Sequence, residues 1–263
     1  MKAAGLSDTG KSRSNNQDSF SIDIKNKIFI VADGMGGHYG GEVASGTTVK
    51  EINNYWQKNL SSGKTPDYHI RKAIHKVNKQ IFSLNKNMGT TLEVLVIADN
   101  AAWIGHIGDS RIYRWRNNKI ELLTNDHTKV KELMDSGHLD RESAKHYPFQ
   151  HVITKAIGIE PLVWPDVFSV DLQAGDIIIM CSDGLTGDMS KKIVSEEDMA
   201  DILETNLDME QSCKEFVHKA NEVGGPDNIT VVLIKIDEED IKEIPVSVEQ
   251  ENKKTGKKKR KRY

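Results

Sequence analysis

Cysteine is scarce. The 263-residue chain holds only Cys181 and Cys213, which excludes a disulfide framework and a four-thiolate zinc site. No run of about 18 apolar residues occurs, so no membrane-spanning helix is expected. The opening Met1-Lys2-Ala3-Ala4-Gly5 lacks the apolar stretch of a secretory signal. No internal repeat is visible. These absences point to a soluble cytoplasmic protein. Enough apolar material is present for a sizeable core: hydrophobic residues make up 37% against 29% charged, which fits one globular domain or at most two.

Charge is unevenly spread. From Glu251 to Tyr263 there are eight Lys/Arg and one Glu, a local +7, so the other 250 residues carry −10 of the net −3. An acidic body argues against nucleic acid as its main partner. The chain therefore divides at about Ile236: residues 1–236 read as globular sequence, and residues 237–263 as a charged, disordered tail with a basic end.

Strands are read over Lys27–Ala32, Thr90–Ala98, Ala101–Ile107, Arg111–Arg116, Asp176–Ser182 and Asn228–Ile236, with another starting at Phe20. Asp99-Asn100 between two of them is a hairpin signal. Asp33-Gly34-Met35-Gly36-Gly37 looks too glycine-rich for strand or helix. Ile70, Ala73, Ile74, Val77 and Ile81 lie on one helical face. Val43–Leu60 is a second helix candidate, and one or two more fall between Leu203 and Ala220. The pattern predicts an α+β domain, a β-sandwich with helices packed outside.

Gly5-Leu6-Ser7-Asp8-Thr9-Gly10-Lys11-Ser12 satisfies the string of a phosphate-binding loop. That loop needs a buried strand before it and a helix after it. Four residues precede Gly5, and Arg-Ser-Asn-Asn-Gln-Asp follows with no apolar helical face. The match is read as accidental.

A repeated arrangement is more informative. Asp33, Asp109, Asp183 and Asp227 each sit at an expected strand end near glycine, and Asp18 precedes the strand at Phe20. One such pair is ordinary turn chemistry. Five that converge would repel one another, by about 4 kcal/mol for two carboxylates about 4 Å apart. Such a cluster shifts its pKa values or holds cations, and all-oxygen donors select hard ions such as Mg²⁺ or Mn²⁺. Arg13 suits the same picture, because a guanidinium forks onto phosphate oxygens. An ordinary surface arginine is the alternative.

Seven segments in order then resemble one family: SDTGKSRSNNQDSF (7–20), FIVADGMGGHYGGEVAS (29–45), MGTTL (88–92), GHIGDSRIY (105–113), TNDHT (124–128), MCSDGLTG (180–187) and GGPDNITVVLI (224–234). Over about residues 2–236 the chain is similar to the metal-dependent protein phosphatases, type 2C or PPM, in their compact bacterial form. The resemblance implies a central antiparallel β-sandwich flanked by helix pairs, four layers in the order α-β-β-α. It implies a protein serine/threonine phosphatase that reverses kinase signalling, by in-line attack of a hydroxide bridging two Mn²⁺ or Mg²⁺ ions.

By the same resemblance, Asp33 would bridge both metals and the Gly34 carbonyl would ligate one. Asp183 and Asp227 would hold the other, Asp18 would belong to the metal shell, and Asp109 would help bind a third, weaker ion. Arg13 would bind the substrate phosphate, and Asn228 would support the site from behind. The chain has Gln17 where many members have Glu, which lowers the expected occupancy of the second metal. It has Met35 where some members place a proton-donating His; His38 is the substitute considered, beside a neutral role. In the family, residues 126–158 form a mobile flap near the cleft that could grip substrate, with an ordinary surface helix and loop as the alternative; His151 there could meet a third ion, or be a packed or exposed histidine.

Partners implied are phosphorylated proteins and a cognate Ser/Thr kinase, with the chain acting as a monomer. The basic tail admits three readings: solubility, an anchor to anionic membrane or nucleic acid, or a clamp on the acidic body. Two competing functions are weighed: a non-catalytic phosphoprotein-binding module, against which the retained Asp33, Asp183 and Asp227 speak, and a nucleotide hydrolase using Gly5–Ser12.

Overall fold

Two sheets form because the β-branched runs have partners on both faces. The computed structural model describes residues 1–59, 63–84, 87–188, 190–205 and 208–241. The chain opens with β1 (Lys2–Asp8), β2 (Asp18–Asp23) and β3 (Ile28–Met35), followed by α1 (Gly37–Asn59) and α2 (Pro66–Ser83). Next come β4 (Gly89–Thr90), β5 (Leu92–Ala98), β6 (Ala101–Ile107), β7 (Arg111–Arg116) and β8 (Lys119–Leu122). Short helices α3 (Lys129–Asp135) and α4 (Arg141–Ala144) lead to β9 (Asp166–Asp171) and β10 (Ile177–Cys181). The chain ends in α5 (Asp183–Thr186), α6 (Glu196–Glu204), α7 (Met209–Glu222) and β11 (Ile229–Lys235).

One sheet has the order β1-β11-β10-β7-β8, the other β2-β3-β5-β6-β9, with β4 paired to β3. All of these pairings are antiparallel. Period-two alternation divides each buried strand between two layers. Phe29, Val31, Leu95, Ile178, Met180 and Val232 fill the space between the sheets. Ile28, Ile30, Val94 and Val96 face α1 and α2. Ile177, Ile179, Val231 and Leu233 face the helices on the other side, where Phe216 and Leu203 meet them. The result is the four-layer α-β-β-α sandwich. It also explains why these strands read as unbroken apolar runs, since neither face is wet.

Three local expectations are corrected, and the accidental reading of the Gly5–Ser12 string is upheld. The Asp33–Gly37 segment is regular: β3 continues through Gly34 and Met35, and α1 begins at Gly37. Asp18 is the first residue of β2 and Asp33 lies within β3, so these two are paired ladder residues. Gly5–Asp8 is strand, paired to β11, and Lys11 and Ser12 give their N–H groups to the Gly225 carbonyl at 2.8 and 3.1 Å. Those donors are spent within the protein, so no phosphate loop exists here. Residues 237–241 fold against the body: the Met1 amine meets Asp237 and Asp240 at 2.8 Å, and Ile241 packs at the edge of the inter-sheet core. The basic segment beyond, and the side chain of His38, lie outside the described residues.

Candidate active site

One end of the sandwich carries a cleft of about 480 Å³, and Arg13, Gln17, Asp33, Gly34, Asp109, Asp183, Asp227 and Asn228 all line it. Both sheets contribute. Asp33 comes from β3, and Asp109 from the turn linking β6 to β7 across the sheets. Asp183 follows β10 and Asp227 precedes β11. Asp18 lies beneath, opposite Asp33 in the ladder.

Backbone anchors fix these positions. The Asp33 N–H donates to Thr91 Oγ1 at 2.9 Å, and Thr90 Oγ1 donates to the Asp33 carbonyl at 2.8 Å. The Gly34 carbonyl lies against Gly41 in the first turns of α1; an added Cβ on Gly41 would sit 2.5 Å from it. Only glycines permit this contact between strand and helix. Asn228 is a bracket for the preceding loop: Oδ1 accepts the Gln17 N–H at 2.8 Å, and Nδ2 donates to the Thr9 and Asn15 carbonyls at 3.0 Å. Gln17 turns its amide to the Gly37 carbonyl at 2.9 Å.

The carboxylates share one electrostatic problem. Burial holds Asp18 up at about 6; the Thr230 and Ser182 hydroxyls pull it back down, while Asp183 and Asp227 add to the rise. Burial first, then neighbouring carboxylates, push Asp33 and Asp109 well above the usual range. Asp183 is raised as well, by burial first and then by the Asp227 charge. Ser182 Oγ and Thr230 Oγ1 both donate to Asp18 Oδ2, at 2.7 and 2.6 Å. Asp18 Oδ1 and Asp183 Oδ1 are buried with no partner. Buried carboxylate oxygens without donors are costly. Arg13 answers part of the charge: a guanidinium nitrogen donates to Asp227 Oδ2 at 2.7 Å, while the side chain stays 54% exposed at the cleft mouth.

Hard divalent cations fit this donor set: every donor is oxygen, the charge is strongly negative, and two buried oxygens lack partners. Among the described residues, no three His, Cys, Asp or Glu side chains stand as a finished metal cage. The fit therefore rests on donor chemistry and charge. His151 is exposed and pairs with Asp188 at 3.1 Å. Ser182, Thr230 and Thr91 also serve the site; they stand inside the MCSDG, DNIT and MGTTL segments, where a lone hydroxyl carries no signal of its own.

Fold and cleft together define a class. The family model for protein phosphatase 2C matches residues 9–223, and the chain belongs to that family. It is a protein phosphatase, and its relatives narrow the class. It is 38% identical over 248 residues to the serine/threonine phosphatase stp of Listeria welshimeri, covering 89% of this chain and 96% of that one. The Streptococcus agalactiae serine/threonine phosphatase superposes with TM-score 0.80 at 33% identity, over 90% of this chain and 99% of that one. The catalytic domain of the phosphatase PstP, solved with two manganese ions, superposes with TM-score 0.76 at 31% identity, over 88% and 96%.

Proposed function

We propose that the cleft removes phosphate from phosphoserine and phosphothreonine in proteins, with two Mn²⁺ or Mg²⁺ ions held by its carboxylates. The observation that carries this is the pair of unpartnered buried oxygens, Asp18 Oδ1 and Asp183 Oδ1, among five carboxylates. Bound ions would supply Lewis acidity and acidify water for attack on phosphorus. In this assignment Asp33, the Gly34 carbonyl, Asp183 and Asp227 would hold the two ions with Asp18 in support, and Asp109 would serve a weaker third site. Gln17 accepts or donates hydrogen bonds without adding charge. Residues 1–236 form the catalytic domain, and 237–263 its charged extension.

The chain's own residues do the rest. Arg13 orients the phosphate and offsets charge on its non-bridging oxygens. Its hold on Asp227 keeps the guanidinium at the cleft before substrate arrives. Arg13→Ala is expected to lower kcat/KM for a phosphopeptide about 10- to 100-fold, the worth of a charged hydrogen bond. Arg13→Lys should restore little, because an ammonium cannot fork. Full rescue by lysine would remove the phosphate-fork role.

Metal removal tests the whole reading. Protein stripped with chelator should lose phosphopeptide hydrolysis and regain it with Mn²⁺. Asp18, Asp33, Asp109 and Asp183 are raised in the metal-free fold, Asp18 to about 6, so protons compete with ions for this site as pH falls. Raised groups stabilise the metal-free fold at low pH and lose that contribution as pH climbs through their folded values. Ions need the ionised form, so the Mn²⁺-induced rise in Tm should be larger at pH 7.5 than at pH 5.5. An equal rise at both, or hydrolysis indifferent to chelator, would count against the assignment.

The finer context follows the same line. The substrates are the targets of a Ser/Thr kinase in the same cytoplasm, and the chain works as a monomer. The Lys/Arg-rich end at 253–262 is assigned to anionic surfaces, membrane or nucleic acid. Binding to anionic vesicles or to DNA should fall with added salt and vanish on truncation after Gln250. Identical behaviour of the full and truncated chains would leave the tail a solubility element.

A further inference from the structure

Behind the cleft, His127 occupies a junction of three segments. It is buried, and its ring and backbone hold both polar groups of a single peptide unit pair. The Gly108 N–H donates to His127 Nδ1 at 3.1 Å, and the His127 N–H donates to the Gly108 carbonyl at 2.7 Å. Gly108 is where β6 ends, at φ +108, with Thr91 packed so closely that a Cβ would meet its side chain at 2.6 Å. The next residue is Asp109. The backbone that aims Asp109 into the cleft thus has its partners in one residue.

The same histidine anchors the 129–152 segment. Its carbonyl accepts the Thr154 N–H at 2.7 Å, Lys129 N–H reaches the Val152 carbonyl at 2.8 Å, and Thr128 bridges Ile153. Ile153 is itself a wall of the cleft. The segment leaves and returns at one rung, and His127 is that rung.

Hydrogen bonding fixes the ring. Nδ1 accepts from the Gly108 N–H, which in the neutral ring leaves the proton on Nε2; that nitrogen faces Asp166 Oδ2 at 3.2 Å and also lies 3.1 Å from Lys155 Nζ. Lys155 Nζ, 3.2 Å from Asp166 Oδ1, completes the edge. On the ring face lies His106, centroid to centroid 4.4 Å. The His106 Nε2 proton is claimed by the Asn125 carbonyl at 2.9 Å, and Nδ1 is bonded to the buried Glu93. Burial holds His127 down at about 4, reinforced by His106 and Lys155. It therefore stays a neutral acceptor.

We infer that His127 is a positioning residue: its Nδ1 sets the Gly108–Asp109 turn and ties it to the root of the 129–152 segment. The inference rests on the reading of Asp109 as a metal-site residue. Two variants separate Nδ1 from Nε2, since an asparagine oxygen can stand near Nδ1 and a glutamine amide reaches the Nε2 position. His127→Asn should keep kcat, Mn²⁺ binding by calorimetry and amide exchange of segments 105–113 and 126–130 within about threefold of wild type. His127→Gln should lower kcat and the weaker Mn²⁺ affinity about tenfold or more, as loss of a group that orients a metal ligand does, with KM little changed and both segments exchanging faster. Equal damage in both variants, equal health in both, or damage only in the asparagine variant would each overturn the inference. Asp109→Asn is the control for the underlying reading. If it leaves Mn²⁺ binding untouched, the assignment of Asp109 fails, while faster exchange at 105–113 in His127→Gln still reports on the turn.

Discussion

Asp33→Asn should abolish turnover while leaving a folded protein. The side chain keeps its shape but loses the charge assigned to both ions. Several kcal/mol of transition-state stabilisation go with it, so kcat should fall by about 10³-fold or more. The stability response has the opposite sign. In the metal-free fold, burial and the Asp18 and Asp183 charges already disfavour ionised Asp33. Replacing it with a neutral amide relieves that conflict, so the chelated variant should melt at or above the chelated wild type. Its Tm rise on adding Mn²⁺ should be smaller. Turnover within tenfold of wild type would end the assignment of Asp33. A collapse in metal-free Tm would mean that Asp33 is structural instead.

Gly184→Ala should unfold the domain more severely than any loss of a cleft charge. An alanine Cβ there would lie 1.9 Å from the Asn228 carbonyl oxygen and 2.8 Å from its carbon. The obstruction is backbone, so no side chain can swing aside. Overpacking of this kind costs about 3 kcal/mol or more, and Tm should drop by roughly 6–12 °C. Gly46→Ala is the comparison. It lies within α1, where the added Cβ meets only Ser19 Oγ at 3.7 Å, and alanine gains up to about 1 kcal/mol in helix propensity. Calorimetry should therefore move the two melting points in opposite directions. Similar Tm values for Gly184→Ala and wild type would show that β11 and α5 are less tightly apposed than this.

What could be read in advance followed burial. Strands such as β5, β6 and β10 sit between two apolar layers, so their runs announce them. Helix α2 announced itself by one clean face. β1 and β9 did not. KAAGLSD and DVFSVD are edge strands with half-buried, mixed faces, and β1 acquires its meaning only from β11, more than two hundred residues away. Its glycine and serine looked instead like an anion loop. The five aspartates were legible because they stand in short motifs, most with glycine nearby, in a recognisable order. The hydroxyls of Ser182 and Thr230 were not, since a serine and a threonine become a clamp only when Asp18 arrives between them. The buried Glu93–His106 pair was missed for a related reason. The two charges face each other across β5 and β6, and each alone is an interruption in an apolar run.

The two halves of the donor set reach the cleft from different sheets, Asp18 and Asp33 on one side and Asp183 and Asp227 on the other. An ion shared between them would act as a rivet through the sandwich, absent from the unfolded chain. Divalent supply would then govern how long the protein survives as well as how fast it works: starvation for the ion would loosen the seam between the sheets and shorten the molecule's lifetime against proteolysis.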